Sequence, residues 1–157
     1  MNKEELAYIA GFLDGDGCIM LQLVYRKDYL LGYQIRASIV FYQKQQYKNF
    51  LVWLKEKLTD GYIRDRNDGM TEYTIVGFKP VTRIIKLLKP YLKLKKQQAE
   101  LVLKVISKMP GSGRQVTPKM LLSQAREVDK FARLNYSKKR TNTSFKVEAF
   151  LKSRHLL

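Results

Sequence analysis

The sequence is short of the residues that covalent and metal-centred chemistry usually draws on. It has one cysteine, Cys18, and one histidine, His155. A single cysteine excludes an internal disulfide and any cysteine-based zinc site, and it fits a reducing compartment. His155 stands alone near the C-terminal end and reads as a surface residue. No apolar run approaches the roughly 20 residues that cross a bilayer, so no membrane partner is expected. Residues 6–13 are too few, and lack the basic lead, to read as a signal peptide. Low-complexity tracts and linker-like segments are missing too, so one domain over residues 1–157 is expected.

Acids are also scarce. The chain carries 14 Asp+Glu against 30 Lys+Arg, a net charge of +16 over 157 residues. Such an excess predicts a polyanionic partner, nucleic acid ahead of an anionic membrane. The acids are unevenly placed. Residues 1–20 hold Lys3 against Glu4, Glu5, Asp14 and Asp16, a net of −3, so the remaining 137 residues carry +19. A metal site facing a phosphate backbone needs an acidic spot inside a basic protein of this kind.

Patterning gives the order α-β-β-α-β-β-α, then further helices. Asn2 and Glu5 form a capping box ahead of a helix over 3–14, which Gly15 and Gly17 end. "CIMLQLVY" (18–25) and "YQIRASIVFY" (33–42) alternate as strands, with Ile35, Ala37, Ile39 and Phe41 on one face of the second. A helix over 44–58 follows. "YIRDR" and "EYTIVGF" read as a second hairpin across an Asp-Gly turn. The next helix starts at Pro80, and Pro90 breaks it. A further helix covers 92–109. Two more, over 117–136 and 144–157, flank a basic segment. Phe50, Trp53, Phe131 and Phe150 read as core, and Cys18 as a small strand residue.

The stretch "AYIAGFLDGDGCI" (7–19) carries the chemistry. Ala7, Gly11 and Gly15 recur every four residues and share a helix face, with Ala10 and Asp14 on the adjacent row. Glycine inside a helix costs about 1 kcal/mol against Ala, so Gly11 needs a reason. Either the helix lies tightly on its own sheet, or it packs on a second copy across a two-fold axis. The second reading makes Ala7, Ala10, Gly11 and Asp14 a dimer interface and brings two copies of Asp16 together. Paired carboxylates at a glycine-flanked helix end suit a hard divalent cation, which takes oxygen ligands and favours the negative end of the helix dipole. An EF-hand loop is excluded: with Asp14 as its first position, the fifth, sixth and twelfth are Cys18, Ile19 and Tyr25.

The string "IAGFLDGDG" (9–17) resembles, position for position, the signature of the LAGLIDADG homing endonucleases. The likeness continues through "GYIRDR" (61–66), "FKPVTRIIKLLKPYLKLKKQQAELVLKVI" (78–106) and "LNYSKKRTNTS" (134–144). It is closest to the homodimeric, single-motif branch typified by enzymes of algal chloroplast introns. The resemblance implies an α+β fold with a four-stranded antiparallel DNA-binding sheet and C-terminal helices from about residue 117. It implies a homodimer joined by the motif helices that cuts both strands of a long pseudo-palindromic double-stranded DNA, leaving short 3′ overhangs. Asp16, with the Gly15 carbonyl, would bind Mg²⁺; Mn²⁺ or Ca²⁺ would also enter, Ca²⁺ without supporting cleavage. Asp14 would be mainly structural. Gln43 matches the glutamine that positions water, and Lys95 a lysine beside the scissile phosphate. The family's usual Arg or Lys four residues after the glutamine is Tyr47 here, where Lys48 or Lys44 would have to substitute. An organellar location follows from the likeness, and no small-molecule substrate is expected. The rival reading keeps the fold without cleavage, as an intron RNA maturase or a DNA-binding regulator.

Strand parity then names the residues expected to meet DNA. They are Met20, Gln22, Val24 and Arg26, with Tyr29 in the connection; Gln34, Arg36, Ser38 and Val40; and Arg64, Arg66, Glu72 and Thr74. Arg suits guanine, Gln adenine, and Glu can accept from cytosine. Lys138, Lys139, Arg140 and Thr141 read as a loop gripping phosphates, with Lys93 and Lys96 adding to it.

Overall fold

The computed structural model describes residues 1–111, 115–135 and 140–157. A four-stranded antiparallel sheet in the order β1-β2-β4-β3 is combined with helices, the α+β class expected. The elements are α1 (Lys3–Asp16), β1 (Gly17–Tyr25), β2 (Tyr33–Lys44), α2 (Lys48–Leu58), β3 (Tyr62–Asp65), β4 (Met70–Val76), α3 (Phe78–Leu88), α4 (Lys96–Ser107), α5 (Pro118–Asp129), α6 (Phe131–Leu134) and α7 (Ser144–Ser153). No helix among the described residues is long and apolar enough to cross a membrane.

The capping box is present: Asn2 Oδ1 accepts from Glu5 N at 2.8 Å, and Glu5 Oε2 accepts from Asn2 N at 3.2 Å. Several boundaries differ from expectation, each for a local reason. The first helix runs on through Gly15 and Asp16 to a cap at Gly17, whose φ of −108° is extended and whose N–H returns to Leu13 O. It therefore passes straight into β1 without a loop. β2 keeps Lys44, which pairs with Met70, so α2 begins only after a 3₁₀ turn at Gln45–Tyr47. α3 begins two residues before Pro80, and Val81 N bonds back to Gly77 O. Pro80 thus falls in the first turn, where an N–H has no helical partner to lose. A break at Lys130 divides the expected single helix over 117–136.

The chain forms two compact units. The first comprises residues 1–20 and 37–99. There α1 packs on α3, and α2 and α3 lie on β4. The odd-numbered face of β2 and β4 is its core: Ile39, Phe41, Tyr73 and Ile75 are fully buried with Ile9, Leu13, Leu51, Leu54, Ile84 and Ile85. Phe12 and Phe41 stack at 5.9 Å, and Phe41 and Tyr73 at 5.8 Å. Phe50 and Trp53 are only half-buried; with Glu4, Glu5 and Tyr8 they line a surface pocket rather than the core.

The second unit comprises residues 21–36 and 100–157. Here α5 packs on α7, burying Leu121, Ala125, Val128, Phe131, Val147 and Leu151. Phe150 meets the rings of Tyr25 and Tyr33 edge-on at 6.0 and 5.8 Å. Its ring explains Gly32, whose φ is +69° and where a Cβ would lie 2.3 Å from Phe150.

Candidate active site and nucleic-acid interface

The two acids of the motif are two residues apart on a helix, about 200° around its axis, so they face opposite ways. Asp14 faces inward and is 8% exposed. Its Oδ2 accepts from the amides of Lys93 at 2.6 Å and Leu94 at 3.1 Å, and its Oδ1 from that of Lys95 at 2.9 Å. Lys95 O in turn accepts from Ala99 N at 3.0 Å, the first turn of α4. Asp14 therefore pins the segment that leads into α4, some 80 residues further along the chain. The Lys95 ammonium donates to the Asp14 carbonyl, placing a cation at the negative end of α1.

Asp16 faces outward. It is exposed and has no hydrogen bond or ion pair with any described residue. Gly15 beside it is exposed, and no atom lies within 4 Å of where its Cβ would be. Gly11 is equally open. The small-residue stripe is therefore not packed on its own sheet. Ala7, Gly11 and Gly15 form an outward row, whereas Ala10 is fully buried. Of the four residues expected at a dimer interface, Ala7 and Gly11 remain available, while Ala10 and Asp14 are taken up by the chain's own fold.

Gln43 lies half-buried near the end of β2, opposite Thr71. Its Oε1 accepts from Lys44 N at 2.9 Å, and its Nε2 has no hydrogen-bond partner among the described residues. Beyond Thr71, whose Oγ1 donates to Asp65 Oδ1 at 2.7 Å, the Lys48 ammonium pairs with Asp65 Oδ2 at 2.6 Å. Lys48 is thus a fixed cation one residue past the 54%-exposed Tyr47. Half-buried Cys18, just after the motif, has its thiol pushed up by burial, with the Lys95 charge pulling the other way.

On the even-numbered face, Gln22, Arg26, Arg64 and Arg66 are exposed, and Met20, Val24, Tyr29, Gln34 and Arg36 are half-buried. Arg26 pairs with Asp28 at 3.0 Å. Buried Arg36 Nε has no hydrogen-bond partner. Ser38, Val40 and Thr74 are closed off, at 2%, 2% and 5% exposure. They are short side chains on the two central strands, too short to stand clear of longer neighbours, so the expectation that they read bases is not supported. Glu72 is 8% exposed and paired with Arg64 at 2.8 Å, which leaves it no free oxygen edge for cytosine. Even parity also includes Tyr42, half-buried opposite Glu72.

The basic loop corrects a second expectation. Lys138 and Lys139 lie outside the described residues. Arg140 turns inward, donating to the carbonyls of Val128 and Leu21, the latter at 2.6 Å, with Asp129 3.9 Å away. Burial pulls its guanidinium below the ordinary value, with Asp129 opposing. Asn142 Nδ2 donates to Leu23 O at 2.9 Å. These two side chains satisfy alternate carbonyls of the edge strand β1, and only Thr141 between them is exposed. Arg140 is a fastener rather than a phosphate contact. Lys93 and Lys96 are exposed as expected.

A family model for LAGLIDADG endonuclease matches residues 9–106. The chain is 40% identical over 148 residues to the DNA endonuclease I-CvuI of Chlorella vulgaris, covering 94% of this chain and 90% of the relative. It is 40% identical over 152 residues to the DNA endonuclease I-CreI of Chlamydomonas reinhardtii, covering 97% and 91%. Its structure is similar to that of I-CvuI in complex with its target in the presence of 2 mM Ca, with a TM-score of 0.92 and 39% identity over 98% of this chain and 96% of the other. The archaeal intron-encoded I-Vdi141I complexed with DNA shares the fold at a TM-score of 0.84 and 17% identity over 98% of each chain.

Proposed function

The chain belongs to the LAGLIDADG endonuclease family, and from that premise we propose that it is a site-specific homing endonuclease made of one domain over residues 1–157. As a homodimer it hydrolyses phosphodiesters in both strands of a long pseudo-palindromic DNA and leaves short 3′ overhangs. Its origin is organellar, as for the intron-encoded algal enzymes it resembles.

The observation that carries this reading is the division of labour at the end of α1. Asp14 is spent on three amides, and Asp16 is exposed without a partner. Among the described residues no group of three His, Cys, Asp or Glu could hold a metal ion. At the end of α1 one chain therefore offers one unpaired carboxylate, Asp16, with Gly15 next to it in the chain. That sparse oxygen set fits Mg²⁺, which keeps waters and substrate phosphates in its shell and needs only one or two carboxylates. Mn²⁺ would serve in its place, and Ca²⁺ would bind without supporting cleavage. A divalent ion held by Asp16 and the Gly15 carbonyl would supply a bound water of lowered pKa and a positive charge beside the phosphodiester oxygens.

The chain's own groups do the rest. The outward row of α1 lets a second copy approach, bringing the partner's Asp16 to the same place. Gln43 aims its amide donors at the attacking water. Lys95, tethered to the Asp14 carbonyl, sets a positive charge where the phosphoryl oxygens gain negative charge. The outward faces of the strands bind the duplex, with phosphate contacts from Lys93, Lys96, Lys138, Lys139 and Thr141. Tyr47 is the feature that favours the alternative, a non-cleaving maturase or DNA-binding regulator, because it removes one cation from the site.

Comparing wild type with Asp16→Asn in Mg²⁺ decides between them: wild type that binds its target and leaves it uncut supports the non-cleaving alternative. The variant is expected to bind target DNA in Ca²⁺ nearly as wild type and to leave it uncut in Mg²⁺. Cleavage at the wild-type rate would remove Asp16 from the chemistry.

A further inference from the structure

The odd-numbered face of the sheet turns from apolar to polar in one rung. Phe41 on β2, Tyr73 on β4 and Ile63 on β3 stand side by side, the first two fully buried. Two residues further along β2, the same three strands carry Gln43, Thr71 and Asp65. Thr71 is fully buried, and its Oγ1 donates to Asp65 Oδ1 at 2.7 Å. Asp65 Oδ2 takes the Lys48 ammonium at 2.6 Å, so both oxygens of this carboxylate are occupied. Lys48, then Thr71, hold the Asp65 carboxyl below its ordinary value, and it stays ionised at neutral pH.

Lys48 is the first residue of α2, and its charge does not serve that helix. A cation at a helix N-terminus opposes the dipole. The first turn of α2 has no acid, and the Tyr47 side chain before it caps no amide. The Lys48 and Asp65 side chains are 43% and 46% exposed, and pairs as exposed as this add little stability. What the pair fixes is the way the chain leaves the sheet. Between Lys44 and Lys48 it passes through a 3₁₀ turn. Gln45 N donates to Gly69 O at 2.9 Å, and Gln45 Nε2 to Arg66 O at 3.0 Å. The Lys48–Asp65 pair is a third tie on the same turn. At the near end of the turn, Lys44 N holds Gln43 Oε1, and Gln43 Nε2 is left without a partner among the described residues.

We propose that Lys48, Asp65 and Thr71 form a strut that positions Gln43 for cleavage. The proposal rests on the DNA-cleaving function set out above and on Gln43 as the residue that orients the attacking water. Lys44 N holds the Gln43 amide only while Lys44 keeps its backbone angles, and the ties to Gly69, Arg66 and Asp65 keep them. With the Lys48 tie cut, the turn slackens, Lys44 N shifts and the amide loses its aim. Thr71 makes the far end of the tie rigid, because a buried hydroxyl fixes the carboxylate that Lys48 grips. Lys48 is thus a positioning residue that acts through Gln43, and it does not replace the cation missing at Tyr47.

The test uses a duplex that the wild type selects by cleavage from a randomised DNA library. Single-turnover cleavage in Mg²⁺ and binding in Ca²⁺ are measured for wild type, Lys48→Met, Gln43→Ala and the double variant. Lys48→Met should slow cleavage at saturating protein about 10- to 100-fold, the scale of a reacting group displaced by about 1 Å. Its affinity, the salt slope of that affinity and its melting temperature should stay near wild type. Added to Gln43→Ala it should cost nothing further, because both changes act through one amide. Lys48→Arg keeps a cation for Asp65 and should recover most of the rate. Should Lys48→Met melt well below wild type, Asp65→Asn must slow cleavage in the same non-additive way. Three results overturn the strut alone: a Lys48→Met rate equal to wild type, a further loss on top of Gln43→Ala, or a salt slope shallower by about one, the mark of a phosphate contact. Gln43→Ala cleaving at the wild-type rate removes Gln43 from the chemistry, and the strut with it. A wild-type protein that cuts nothing in the library overturns the endonuclease function itself.

Discussion

Two stretches of the chain place charged or polar side chains against main-chain atoms, and they reverse each other. At the end of α1, Asp14 fastens the amides of Lys93, Leu94 and Lys95, and its neighbour Asp16 is left free. At residues 140–142, Arg140 and Asn142 fasten the carbonyls of β1, and Thr141 is left free. In the first stretch the free residue keeps its charge, the one proposed above to hold the metal. In the second, the charge is consumed by the fastening. A charged residue next to a functional motif is thus no guide to function until its main-chain partners are known.

The widest separation is expected between the two acids. Asp16→Asn should abolish cleavage and leave the melting temperature unmoved. Asp14→Asn should lower stability by about 2–4 kcal/mol, because the carboxylate that three buried-side amides share loses its charge; urea unfolding measures it. Equal losses of stability in both variants would erase the distinction. Arg140→Met comes next. It should cost about 2–3 kcal/mol by leaving carbonyl groups without donors, yet leave the slope of log affinity against log salt where it was. A slope shallower by about one would instead mark a lost phosphate contact and return Arg140 to the DNA interface. Within α1, Gly11→Leu puts bulk on the open row. Sedimentation should show the dimer weakened by at least tenfold with the helix content of the chain intact, and an unweakened dimer would move the interface off this row. The smallest effect is reserved for Thr141→Ala, expected to stay within about 0.5 kcal/mol of wild type.

Much of the architecture was legible because it is written locally. The Asn2–Glu5 capping box, the alternation from Ile35 to Phe41 and the Asp-Gly turn each specify their element over a few residues. The stripe Ala7, Gly11, Gly15 showed a face with room for close approach, though not that Ala10 turns away from it. What escaped was set by partners far along the chain. The α1 terminus falls at Asp16 because Gly17 enters a strand rather than a left-handed cap. Arg140 reads from the sequence as part of a phosphate-gripping loop, since nothing in that basic run indicates the edge carbonyl 119 residues earlier that it satisfies. Ser38, Val40 and Thr74 have the right parity and the wrong reach: parity assigns a face, and side-chain length decides whether a residue stands clear of it.

The absence of any loop between α1 and β1 has a mechanical consequence. Asp16 is the last residue of the helix, and Gly17 is the first of the strand. The proposed metal ligand and the first residues of a strand proposed to meet DNA are thus neighbours in one continuous stretch of hydrogen-bonded backbone. On that proposal, a shift of the strand at Gly17 is passed to the Asp16 carboxylate with no loop to absorb it, and an ill-fitting target is expected to go uncut.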